Sequence, residues 1–388
     1  MLQRPRQPST ARGVRHTPVQ NLPHELLERI FYVITRLPRT LPVDEKYPYR
    51  PLFSKMPYFP PNSIMILSQV CIRWRETLLQ MPVVWSFIHL TRSLESHRRL
   101  RSNLGRSLDW LSTYLTRSRD FPLHITLDTT RLPIDATLSL ISPHSARWST
   151  FTLFVSHIGS LPLALPSLVH TRLPRLQSLS ITSDIYREGI VCYDPLLPFF
   201  VTGTPQLTNI RLTGVYVSWN ALPLANLRIL ELHFTSRWPD FIALRNMFNS
   251  SPRLRRLVIH DDIASILRHV NQPLDNPTVS LARLKHLEIE VYRNRDERAD
   301  VVGLLGLFSL PSLQVLVIKA VKIGEWIQIT ENYALPVEAF PNYDHADSRR
   351  SLRDRHTVRR LPHSFPFLSA LTVTSALVTP RAGRSQFG

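Results

Sequence analysis

The chain of 388 residues carries 47 Lys and Arg against 29 Asp and Glu, a formal charge of +18, and 43% of it is hydrophobic. Those figures suit a mostly folded chain with room for one small domain and one longer body. No apolar run of eighteen residues free of charge offers a membrane span, and Cys71 and Cys192 are the only cysteines, which excludes a disulfide framework and a cysteine-based zinc site. A reducing compartment, cytoplasmic or nuclear, is therefore expected.

The excess charge is arginine, since only Lys46, Lys55, Lys285, Lys319 and Lys322 are lysines. A basic balance favours acidic partners. The arginines are scattered, not gathered on one helix or between aromatics, which weighs against nucleic-acid binding.

Residues 1–20 carry Arg4, Arg6, Arg12 and Arg15 without an acidic side chain. Pro5, Pro8 and Pro18 interrupt any amphipathic helix there, so a disordered basic tail is expected. The first composed stretch is "NLPHELLERIF" at 21–31. Asn21 is placed to cap a helix, Pro23 is tolerated in its first turn, and Glu25 sits near the positive end of the dipole. Leu26, Leu27, Ile30, Phe31 and Ile34 recur at helical spacing and predict one apolar stripe.

Residues 37–63 are rich in proline and tyrosine and predict an irregular loop. From Ser63 the pattern predicts a second helix in which Ile66, Leu67, Val70, Trp74, Leu78 and Leu79 share a face. Pro82 ends it, and "VVWSFIHL" follows as a short apolar segment. Residues 91–144 are expected to hold a linking helix and a first repeat-like segment.

From about residue 145 a new rhythm begins. "LQSLSI", "LTNIRL", "LRILEL", "LRRLVI", "LKHLEI", "LQVLVI" and "LSALTV" start at Leu176, Leu207, Leu227, Leu254, Leu284, Leu313 and Leu368. All fit Leu-x-x-[Leu/Ile]-x-[Leu/Ile/Val], and "WSTFTL" at Trp148 is an aromatic version. The last two apolar positions predict one face of a short strand, and the first closes the turn before it. Helix-like stretches such as "DFIALRNMFNS" lie between, several ending in a proline that stops the helix and leads into the next strand. Units of 20–31 residues with one grammar predict a stacked strand-and-helix solenoid over 145–376. An irregular insertion is expected at 323–365, with a charged loop in it, and a disordered tail at 377–388.

No phosphate loop and no His-x-x-x-His appears, so no catalytic residue, cofactor or metal is expected. "HDD" at His260–Asp262 reads as a polar strand-to-helix turn, with Asp262 as cap. The strand residues pointing away from the core make a face suited to binding a protein. It holds Ser178, Ser180, Asn209, Arg211, Ile229, Glu231, Arg256, Val258, His286, Glu288, Val315 and Val317, extended by His233, His260, Glu290 and Lys319.

"NLPHELLERIF" with "LSQVCIRWRETLLQMPVVWSFIHL" resembles an F-box and its exit, through Leu22, Pro23, Leu26, Ile30, Phe31, Val70, Cys71, Trp74, Trp85 and Ile88. "DWLSTYLTRSRDFPLHITLD", "PHSARWSTFTLFV" and "LPRLQSLSI" are stretches of the type found, in that order, in the large fungal F-box family. The resemblance implies an α+β or α/β chain: a small helical F-box over 21–90, then an irregular leucine-rich-repeat-like solenoid. Two departures are the long internal loop and the absence of the Asn or Cys that stabilises the turns of regular repeats.

What the resemblance implies is the substrate-recognition subunit of a Skp–cullin–F-box ubiquitin ligase, without chemistry of its own. Leu22, Pro23, Leu26, Leu27, Ile30, Leu67, Val70, Cys71 and Trp74 would meet the Skp adaptor. The solenoid's Arg211, Glu231, His233, Arg256, Val258, His260, His286, Glu288, Val315 and Val317 would meet a target protein. Two alternatives are a ligase-independent interaction scaffold and a basic nucleic-acid-binding solenoid.

Overall fold

The computed structural model describes residues 21–36, 39–40, 57–58, 63–90, 104–128, 134–155, 171–183, 203–215, 225–233, 241–261, 279–291, 301–321, 323–333 and 365–375. The expected tails, the capping by Asp262 and the charged loop after Tyr333 lie outside the described residues.

Helix α1 (His24–Arg36) starts after Pro23, whose carbonyl accepts the Leu27 N–H at 3.2 Å. The chain enters the helix two residues later than a cap at Asn21 requires. The Arg73 guanidinium holds the Leu22 carbonyl instead. The expected second helix is two, α2 (Ser63–Leu67) and α3 (Ile72–Gln80), and the apolar segment after it opens with a further helical turn, α4 (Pro82–Trp85). Cys71 is extended, with φ −158° and ψ 168°. The Ser68 carbonyl, which residue 72 would bond in a continuous helix, takes the Arg75 Nε at 3.0 Å. The loop expected at 37–63 also holds a short antiparallel pairing of Arg39–Thr40 with Pro57–Tyr58.

Ten parallel strands then form one open sheet: β1 (Phe87–Leu90), β2 (Leu123–Asp128), β3 (Trp148–Val155), β4 (Ser178–Ser183), β5 (Asn209–Thr213), β6 (Ile229–His233), β7 (Arg256–Asp261), β8 (His286–Val291), β9 (Val315–Val321) and β10 (Ala370–Ser375). Each strand lies beside its predecessor in sequence, and β1 and β10 are the edges. Connections carry α5 (Leu104–Arg117), α6 (Ile134–Ile141), α7 (Phe241–Asn249), α8 (Val301–Gly306) and α9 (Ile323–Tyr333). The fold is thus mixed α/β around a large parallel sheet.

The leucine pattern has a turn beneath it. Leu176, Leu207, Leu254, Leu284, Leu313 and Leu368 each donate their N–H to the carbonyl three residues back, at 3.0–3.2 Å. Five of these turns carry proline second: Pro174, Pro205, Pro252, Pro311 and Pro366. Proline there presets the turn, so its place is inside a β-turn and not at a helix end. The residue after the leucine then ties rung to rung. The carbonyls of Gln177, Thr208, Arg228, Arg255, Lys285 and Gln314 each accept two N–H groups from the next rung, at 2.7–3.0 Å. The backbone does the work that an Asn or Cys ladder does in regular repeats.

Leu179, Ile210, Leu230, Leu257, Leu287 and Leu316 are buried on one sheet face, in one core with Leu111, Ile141, Phe248, Leu304 and Trp326 of the helices. Two expectations change. The sheet begins at Phe87, not near 145, because "FIHL" pairs with "LHITLD", and "LHITLD" with β3. Ile323–Tyr333, assigned to an irregular insertion, is a helix with Trp326 and Ile329 fully buried. Among the described residues no helix is long and apolar enough to cross a membrane.

Candidate functional site

Two surfaces are built by this fold. The first lies on the N-terminal helices. α1 is apolar on two sides. Leu27 and Phe31 face the core, fully buried, and the Phe31 ring stands edge-on to Trp74 at 5.1 Å. Leu26, Ile30 and Val33 make a second stripe that points outward, Leu26 being 49% exposed. Ile66, Ile72 and Leu79 of α2 and α3, and Val70 of the turn between them, are exposed as well, Ile72 by 72%. Large apolar side chains left in water in one small unit mark a surface that associates.

Of the residues expected to meet an adaptor, Pro23, Leu26, Ile30 and Val70 are exposed, and Leu22, Leu67, Cys71 and Trp74 are half-buried. Leu27 is a correction: it is wholly inside, because it faces α3 and α4 and not solvent. Val33, Ile66, Ile72 and Leu79 were missed. The helix face expected to hold Leu78 and Leu79 together is divided: Thr77 and Leu78 of α3 are buried and Leu79 is 42% exposed.

The second surface is the sheet face opposite the core. Pairing stacks its side chains in rows. Arg211, Glu231, Val258, Glu288 and Val317 lie in one row, and Ile229, Arg256, His286 and Val315 in the row before it. His233, His260, Glu290 and Lys319 form the row after. Glu231 lies between two guanidiniums, with Arg211 Nε at 3.3 Å from Oε2 and Arg256 Nε at 3.5 Å from Oε1. Glu288 is surrounded: Arg256 Nη2 at 3.4 Å, His260 Nε2 at 3.1 Å, His286 Nε2 at 3.6 Å, and the Lys319 ammonium in direct contact. Lys319 and His260 also face Glu290, at 3.8 and 3.5 Å. Cross-strand opposite charges of this kind fix strand order and register.

His260 and His286, then Lys319, hold the Glu288 carboxyl far below the ordinary range, against the effect of its burial. His233 beside it, then Arg211 and Arg256, hold Glu231 down in the same way. Burial keeps the His233 imidazole below its ordinary value. His233 Nδ1 meets His260 Nδ1 at 2.9 Å, their rings edge-to-face. One of these nitrogens must donate and the other accept.

Two residues expected on the target face are withdrawn from it. His233 and Val258 are buried, His233 in the row where Thr182 and Thr213 are buried too. Arg211 is exposed, and Glu231, Arg256, His260, His286, Glu288, Val315 and Val317 remain partly open. His260 and Asp261 of the expected polar turn at "HDD" belong to β7. Among the described residues no group of three or more His, Cys, Asp or Glu is placed to hold a metal ion.

No protein-family model matches the chain, and no curated protein matches it.

Proposed function

We propose that the chain is an F-box protein with degenerate leucine-rich repeats, the substrate-recognition subunit of a Skp–cullin–F-box ubiquitin ligase. The observation that carries this reading is the outward stripe Leu26, Ile30 and Val33 on α1, with Ile66, Ile72 and Leu79 exposed on α2 and α3 and Val70 on the turn between them. These residues fall in the stretch whose sequence resembles the F-box. A few apolar anchors suffice for such an interface, and the Skp adaptor is the partner that the resemblance names. The sequential strand order and the repeated β-turns support an irregular α/β solenoid as the body that presents a target. The receptor contributes no bond chemistry; it raises the concentration of target beside the charged ubiquitin-conjugating enzyme.

The test is co-purification of the full chain with the Skp adaptor, wild type beside Leu26→Asp and Val70→Asp. Both substitutions put a charge on an exposed position and leave the core intact. A stable complex lost in both variants is expected. A folded wild-type chain that brings down no adaptor would overturn the reading in favour of a scaffold without a ligase role.

A further inference from the structure

The charged sheet face is graded by depth. Glu288 is 13% exposed and Arg211 51%, with Glu231 and Arg256 between them at 20% and 38%. Both oxygens of Glu231 and of Glu288 already face cations or imidazoles. The arginines are not used up. Among the described residues Arg211 faces a carboxylate with its Nε, and Arg256 with one terminal nitrogen and, at ion-pair distance without a hydrogen bond, its buried Nε. A guanidinium offers five N–H donors in a planar fork, so the terminal donors of two arginines, aimed by one shared carboxylate, are left at the surface. Adjoining them, β3 to β5 present Thr152, Ser180, Ser178 and Asn209, which are polar and uncharged.

We propose that Arg211 and Arg256, seated on Glu231, form a docking point for the carboxylate of an extended acidic segment, whose backbone hydrogen-bonds to the Ser and Asn side chains of β4 and β5. This rests on the reading of the sheet as a target-binding body and names the class of target. Charge complementarity argues for it. The available groups are cationic forks with matching geometry for a carboxylate, the carboxylates beneath them are saturated, and the chain as a whole carries +18. Pre-orientation by Glu231 lowers the ordering cost on binding.

The experiment is fluorescence anisotropy with the full chain and three labelled peptides: one rich in Asp and Glu, its Asn and Gln counterpart, and the counterpart with phosphoserines. Arg211→Gln, Arg211→Lys and Arg256→Gln are compared with Arg283→Gln, which removes the same charge from an exposed turn elsewhere. Circular dichroism checks that each is folded. The acidic peptide is expected to bind, at least tenfold more weakly in Arg211→Gln and Arg256→Gln, and more weakly in Arg211→Lys, where charge stays but the fork is lost. Arg283→Gln is expected to match wild type, and added salt to weaken binding. Equal binding of acidic and neutral peptides, equal loss in Arg283→Gln, or no binding would overturn the proposal. Binding of the phosphopeptide alone would overturn it too, and assign the forks to phosphate. No adaptor takes part, so this result and the co-purification stand or fall separately.

Discussion

At the residue scale, adjacent leucines on one helix have opposite roles. Leu26 and Leu27 are chemically identical, and helical spacing alone places both on an apolar arc. Which one faces water is decided by where α3 and α4 pack, and no local pattern encodes that. Leu27→Ala is expected to cost ~2–5 kcal/mol, the range for a buried leucine. Leu26→Ala should change stability by less than about 0.5 kcal/mol. Denaturant titration separates them, and equal losses would contradict the assignment of the two stripes.

A half-buried histidine adds a pH dependence at the same scale. Burial, then neighbouring His124, lowers the His89 pKa from its ordinary value of 6.5 to about 4. Above 6.5 the ring is neutral folded or unfolded. As pH falls below that, the unfolded chain takes up a proton that the folded chain refuses, so stability declines until about pH 4. The loss is on the order of 3 kcal/mol, and His89→Gln should flatten the slope between pH 7 and 5. Glu288 acts lower down. Its folded pKa is depressed, so its contribution is full above the ordinary carboxylate range and is lost as pH falls through that range and below it. The variant Glu288→Gln should therefore lose less stability than wild type between about pH 4.5 and 2. Parallel curves would contradict the pairing of Glu288 with its histidines and Lys319.

At the element scale, the strands were legible where two buried positions and a turn leucine recur. "LKHLEI" announces β8 because Leu284, Leu287 and Ile289 are all inside. "FIHL" lacks the turn leucine, and its strand is fixed by pairing with β2, a contact remote in sequence. α9 was hidden for another reason: a helix that follows a strand without a proline signal looks like loop until a partner buries it. Trp326→Ala is expected to lower stability by ~3–5 kcal/mol, read as a fall in the thermal midpoint. A change within error would mean that α9 lies outside the cooperative core. The candidate site was legible in part. Register placed Arg211, Glu231 and Glu288 on one face, but Val258, an apolar residue in a charged row, was not recognisable as buried.

For the whole molecule, the helices and the sheet are continuous. α4 runs into β1 through Ser86 alone, and Trp85 donates its indole N–H to the Leu78 carbonyl at 2.8 Å. Arg117 of α5 stacks over the same ring at 4.5 Å. In the proposed receptor this joint holds the target face at a fixed attitude to the adaptor. Transfer over a defined gap needs that rigidity. The charge of +18 belongs to this scale as well, and in the proposed receptor it would steer an acidic partner before contact forms.

In the proposed receptor the exposed stripe of α1 is the adaptor-binding surface. Calorimetric titration of the full chain with purified Skp adaptor, repeated at several temperatures, tests it most directly. Binding with a negative heat-capacity change, the mark of apolar burial, is expected, weakened at least tenfold by Leu26→Asp. Absence of binding by a folded chain, or binding that Leu26→Asp leaves unchanged, would contradict it.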